Sequence, residues 1–173
     1  FARCSNIRNL ESGGIMTIAS KLENYLQQQE INYEVVTHPH SEYSMETAEK
    51  AHVHGDALAK GVLVKDYDGY LLVVLPADYH VELESLHKLL HKEVLMVDEA
   101  ALGEVFSDCE PGAVPPIGMA YGVKTIWDPT SSLGKLDEVF FEAGDHQTLV
   151  QMSGVQFHEL MAPAELWEFS HHI

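Results

Sequence analysis

Two apolar runs near the middle of the chain, Ala59-Lys60-Gly61-Val62-Leu63-Val64-Lys65 and Leu71-Leu72-Val73-Val74-Leu75-Pro76, are rich in β-branched residues and do not alternate cleanly with polar ones. Joined through Asp68-Gly69, they predict a hairpin, and the missing alternation predicts that both of its faces are covered, so it belongs in the middle of a sheet. The other elements are arranged around it. Ile18, Ala19, Leu22, Tyr25 and Leu26 recur at helical spacing and predict an amphipathic helix to about Gln29, with Thr17 as its cap. Tyr33–Thr37 reads as a short strand stopped by His38-Pro39-His40. Ser44 is placed to cap a second helix through to Val53, with Gly55 to end it. After the hairpin, a helix over about Glu82 to His91 buries Leu83, Leu86, Leu89 and Leu90. A strand at Val94–Val97 follows, then a helix from the Asp98 cap to Phe106. Strands at Val123–Trp127, Val139–Glu142 and Thr148–Met152, a helix over Val155–Met161 and a short tail at Ala164–Phe169 complete the pattern.

Between Ser107 and Gly122 the periodicity stops. Asp108 to Gly118 holds three prolines and two glycines, which excludes a helix or a central strand and predicts a stiff, ordered loop. Strands with helices at several points, joined by hairpin-type connections, predict an α+β domain with a mixed or antiparallel sheet. Residues 1–15 lack apolar periodicity and end in Ser12-Gly13-Gly14; they read as an extension ahead of a single domain over 16–173.

Composition narrows the function. At 173 residues, 46% of them hydrophobic, the chain suits one globular domain. No apolar run approaches the roughly 20 residues that span a bilayer, no secretory signal is evident, and the cytoplasm is the expected location. Ten basic against 27 acidic side chains give a formal charge of -17. A nucleic-acid binder normally presents a basic face, so any such contact here should be local or assisted. Cys4 and Cys109 stand in no metal or redox spacing. Cys109 lies between Asp108 and Glu110, whose charge disfavours a thiolate, so it is a poor nucleophile. Histidines occur in close pairs, and His87 and His91 stand at i, i+4, but Lys88 and Lys92 beside them would repel a cation; no metal and no cofactor are expected.

No serine elbow, phosphate loop or dinucleotide fingerprint is present. Three places remain. Lys60 begins a central strand between the small residues Ala59 and Gly61, so its ammonium either enters a pocket or reaches back to water along its flexible stem. The Gly-Pro loop offers backbone N–H groups. In Phe141-Glu142-Ala143-Gly144-Asp145-His146 a strand ends in small residues followed by a proton-handling histidine.

Ala59-Lys60 before Val62-Leu63-Val64, Val74-Leu75-Pro76-Ala77-Asp78, Gly112-Ala113-Val114-Pro115-Pro116-Ile117-Gly118 and Phe141-Glu142-Ala143-Gly144, in that order, resemble the YbaK/prolyl-tRNA synthetase-associated domain family from Met16 onward. The resemblance implies a mixed, partly barrel-like sheet with peripheral helices. It also implies a trans-editing deacylase that hydrolyses the ester of a mischarged aminoacyl-tRNA at its 3′ end, with a synthetase or elongation factor as a possible helper. Carried over by position, Lys60 matches the pocket lysine, Gly112, Ala113, Val114, Pro115, Pro116 and Gly118 the loop lining the aminoacyl-adenosine pocket, and Ala143-Gly144 a small pair facing it. His146 matches a substrate-contacting histidine. That reading aims the Lys60 amine into a cavity floored by the proline-stiffened loop. Many relatives have Ser-Pro in place of Pro115-Pro116 and Gly-Gly in place of Ala143-Gly144, so the identity of the amino acid is not carried across. The competing reading is a regulatory or small-ligand module on the same fold.

Overall fold

The central hairpin organises the protein in a computed structural model that describes residues 18–172. β1 (Glu34–Thr37) precedes it, and β2 (Leu58–Asp66) and β3 (Gly69–Pro76) form it. Their register runs from Asp66 opposite Gly69 to Ala59 opposite Pro76, so the two-residue turn is Tyr67-Asp68, one position earlier than the Asp68-Gly69 pair suggested. The reason is local. The Asp66 carboxylate accepts from the Asp68 and Gly69 N–H groups, and Gly69, at φ +136°, takes the conformation a β-branched residue would resist.

β4 (Tyr79–Val81), β5 (Leu95–Met96), β6 (Lys124–Trp127), β7 (Glu138–Glu142), β8 (Thr148–Ser153), β9 (Glu165–Leu166) and β10 (Ser170–His172) follow. Eight strands form one mixed sheet in the order β1-β8-β7-β2-β3-β6-β9, with β5 on the far half of β2; β4 and β10 pair separately. β2 lies parallel to β7, and β3 lies parallel to β6. The hairpin is thus flanked on both sides, as its unbroken apolar runs require.

Among the described residues five α-helices pack around the sheet: α1 (Ser20–Gln28), α2 (Ser44–Lys50), α3 (Leu83–Leu90), α4 (Glu99–Val105) and α5 (Gly154–Leu160). This is the α+β architecture expected. Ala59, Leu63, Leu72 and Val74 join Val114, Ile117, Phe141 and Ala143 in the main core. Val64, Leu71, Val73 and Leu75 face the other way onto Leu86 and Phe169, while Leu58 and Ala77 meet Ala48 of α2.

Several boundaries differ from expectation. The Thr17 cap and the extension over 1–15 lie outside the described residues. Ser44 is the first helical residue of α2; Tyr43 holds the cap position without a side-chain bond, and Glu46 instead reaches back to the Glu42 N–H at 2.9 Å. α2 also ends before Val53, because His52 adopts φ +57° and the Val53 N–H returns to the Ala48 carbonyl. That closure satisfies the last carbonyls without Gly55, which starts a 3₁₀ turn. The proline-rich loop holds a short 3₁₀ turn at Gly118–Tyr121, and β4, β9 and β10 were too short or too polar to be legible as strands. The Asp98 cap is as predicted, accepting from the Ala101 N–H at 2.9 Å.

Candidate functional site

The proline-rich loop packs directly onto the hairpin. A Cβ at Gly61 would lie 3.2 Å from the Pro116 Cα, and one at Gly118 would lie 2.1 Å from the Thr125 hydroxyl, so backbone approach at both points depends on glycine. Ala113 through Gly118 are buried, while Gly112 is exposed at φ +81°. Within residues 111–118 the loop therefore offers the outside its leading end, at Pro111 and Gly112.

His146 meets that end. It sits at φ +58°, in a turn built by Asp145, whose carboxylate accepts from the Gln147 and Thr148 N–H groups and from the Thr148 hydroxyl. The His146 Nε2 pairs with the Pro111 carbonyl. A carbonyl only accepts, so Nε2 carries the hydrogen and Nδ1 of the neutral ring is left as the acceptor. A Cβ on Gly112 would lie 3.4 Å from His146 Cε1, and the His40 ring lies 5.3 Å away, centroid to centroid.

Ala143 and Gly144 are buried just before this turn. The Ala143 carbonyl accepts from the Ala19 N–H at 2.9 Å, and the Gly144 carbonyl accepts from the Glu110 N–H at 2.7 Å. Gly144, at φ +118°, leaves room for Ala19 Cβ and Cys109 Sγ. Four expected site residues, Gly112, Ala143, Gly144 and His146, thus come together at the end of β7. Cys109 is beside them, but burial pushes its thiol up to about 12, with the Asp108 charge acting in the same direction. It stays a thiol at neutral pH.

Lys60 stands elsewhere. Side chains alternate along a strand; residue 61 faces Pro116, so Lys60 leaves β2 on the opposite face, the side of Leu58 and Ala77. Its half-buried ammonium donates to the carbonyls of Ala77 at 3.1 Å and Tyr79 at 2.7 Å. Burial lowers its pKa and the Asp78 charge works against that. The amine therefore turns into the bend after β3, not into bulk water and not onto the Pro115-Pro116 floor expected for it.

One segment, Ser41–Gly55, spans the distance between the two groups. At one end the Ser41 N–H donates to the His146 carbonyl at 3.2 Å; at the other the Gly55 carbonyl accepts from the Ala77 N–H at 3.1 Å. A Cβ at Gly55 would lie 3.3 Å from the Asp78 Cβ. A shallow cleft of about 380 Å³ runs along this segment, lined by Tyr43, Met45, Glu46, Glu49, Val53 and Gly55, among others. Beneath it Thr47 donates to the buried Glu142 carboxyl at 2.8 Å. The local pattern gives Glu142 no role, and its one signal is a charged residue on the inward-facing end of an apolar strand. Of the histidine pair on α3, His87 is engaged with the Val94 carbonyl through Nε2 and His91 closes the helix in the left-handed conformation. Among the described residues no helix is long and apolar enough to cross a membrane.

Residues 38–160 match a family model described as an aminoacyl-tRNA editing domain. No curated protein matches the chain. Among solved structures, hypothetical protein APE2540 superposes with a TM-score of 0.76 at 20% identity, over 88% of this chain and all of that one. A proposed trans-editing enzyme for prolyl tRNA synthetase superposes with a TM-score of 0.77 at 17% identity, over 91% of this chain and 99% of that one. A proposed signal transduction protein from Marinobacter aquaeolei VT8 carries the same fold within 30% of its length, with a TM-score of 0.70 at 18% identity over 87% of this chain.

Proposed function

The chain belongs to the aminoacyl-tRNA editing domain family, and on that premise we propose that it is a deacylase that hydrolyses the ester of a mischarged aminoacyl-tRNA in trans. The observation that carries this reading is the meeting of Gly112 with His146 and the Ala143-Gly144 pair, which makes one site from residues far apart in the chain. An aminoacyl ester next to a vicinal ribose hydroxyl is already activated. The protein has to hold it, stabilise charge on its carbonyl oxygen and admit water.

In this reading the exposed backbone at Gly112 donates toward the ester oxygen, and His146 Nδ1 accepts a proton from a water or from the substrate's free hydroxyl. Lys60 spends two of its three donors on the Ala77 and Tyr79 carbonyls, which fixes its position and leaves a third for a phosphate or carbonyl oxygen near the terminal adenosine. The substrate enters along the cleft over Ser41–Gly55. A pocket that rejects one extra methylene gains only about 1 to 3 kcal/mol, so a synthetase or elongation factor would supply a second filter.

The test is a panel of mischarged tRNAs offered to the purified protein, with Lys60→Ala beside it. Turnover by the parent and loss of nearly all of it in folded Lys60→Ala is the expected result. No turnover on any member, or equal turnover by the variant, removes the enzymatic reading. The charge of -17 favours a second reading, a module that recognises a small aminoacyl or nucleotide ligand without hydrolysis; ligand-induced stabilisation with no turnover would support it.

A further inference from the structure

Glu142 is the last residue of β7, 6% exposed, and the site described above gives it no task. Its Oε1 accepts from the Thr47 hydroxyl at 2.8 Å, and its Oε2 is buried with no hydrogen-bond partner. Thr47 in turn shares a hydrogen bond of 2.5 Å with the Ser41 hydroxyl, and the Ser41 N–H holds the His146 carbonyl. A single buried polar chain therefore joins the end of β7, the helix α2 that lines the cleft, and the turn that carries His146.

We propose that Glu142 is a positioning residue that, as a neutral acid, holds α2 and the His146 turn in register across the substrate cleft. The geometry favours the neutral form. One hydroxyl donor is too little to compensate a carboxylate removed from water, whereas an unpaired neutral group is far less costly. None of the titratable groups on the adjoining elements acts on it as a counter-charge: beside burial only the Thr47 hydrogen bond and the Asp145 charge bear on the carboxyl, and the buried His38 that follows β1 is engaged through Nδ1 with the Pro39 carbonyl. On the β7–β8 turn, Asp145 is negative and His146 is bound to Pro111. On α2, Glu46 is paired with Lys50, which also reaches the His40 carbonyl, and Glu49 is exposed. On β2, Lys60 is held by Ala77 and Tyr79. Burial accordingly raises the Glu142 carboxyl to about 7, with the Thr47 hydrogen bond opposing and the Asp145 charge adding to the rise. Above that pH an uncompensated charge forms beneath α2, and the helix is released.

Only the effect on substrate rests on the deacylase reading; the holding of α2 does not. Hydrogen exchange of the amides over 44–53, corrected for intrinsic rates, should rise about tenfold between pH 6 and pH 8 in the parent. Glu142→Gln keeps the size and the acceptor for Thr47 but cannot ionise, and should show no such rise. Thr47→Val, which removes the link, should exchange faster than the parent already at pH 6. On a mischarged tRNA that the parent turns over, KM should rise across the same pH range in the parent and stay level in Glu142→Gln. An equal pH response in Glu142→Gln, or parental exchange in Thr47→Val, overturns the proposal. If the parent turns over no mischarged tRNA, the deacylase reading fails while the exchange measurement still decides the role of Glu142.

Discussion

A carboxyl in an apolar strand end makes the stability of this protein depend on pH in an unusual direction. In the unfolded chain Glu142 releases its proton near 4.5, and in the folded protein near 7. Between those values the folded state binds the extra proton. Its contribution is complete below the unfolded value, is lost as pH rises through about 7 and stays lost above it, about 3 kcal/mol in all. Urea unfolding at pH 5 and pH 8 should show the loss in the parent and a much smaller one in Glu142→Gln. Gly144 offers a second test nearby. A side chain there would be strained at φ +118° and would crowd Ala19 Cβ at 3.1 Å and Cys109 Sγ at 3.2 Å. Gly144→Ala should lower stability by about 2 kcal/mol, seen as a lower Tm, and should displace the His146 turn that follows it.

Among the elements, the last strand depends on one buried acid. Asp128, at the end of β6, accepts through Oδ2 from the Phe169 and Ser170 N–H groups and the Ser170 hydroxyl, and through Oδ1 from the Thr130 N–H and hydroxyl. Burial would push its carboxyl up, but these donors outweigh burial and hold it below its ordinary value. The stabilisation is therefore present above pH 4 and lost as pH falls through the lowered value. Asp128→Ala leaves several buried donors unpaired and should cost about 3 kcal/mol. Limited proteolysis should cut first within 169–172, where β10 loses its anchor. At the other end of the hairpin, Lys92 bonds both Asp66 and Asp68, tying the turn to the end of α3. Part of that arrangement is exposed, and it contributes little to stability.

For the molecule as a whole, charge sets the terms of any encounter with RNA. An excess of 17 negative charges repels a polyanion, so tRNA capture must rely on a few local contacts. Binding to tRNA is expected to be weak and to fall steeply across a salt titration followed by anisotropy, with turnover surviving at low salt. Tight, salt-insensitive binding would contradict a phosphate-based encounter.

The α+β class, the central hairpin, the helices and the break in regular structure at the proline-rich loop were legible because each follows from local periodicity, β-branching and the backbone limits of proline and glycine. So was the Asp98 cap, which depends on close neighbours in the chain; the inert thiol of Cys109 agrees with the acidic residue beside it but is owed first to burial, which the local pattern does not contain. Short strands such as β4, β9 and β10 were not, since pairing with distant residues defines them. Nor was the direction of Lys60. Ala59, Lys60 and Gly61 read alike as a small, open strand start, and only the docking of Pro116 on Gly61 shows which face each residue takes. The meeting of Gly112 with His146 and the buried chain from Glu142 to Ser41 likewise arise where segments about 35 to 100 residues apart are folded together. Local pattern specifies what a segment becomes; burial and charge at a site belong to the packing of several segments, and no single stretch of chain contains them.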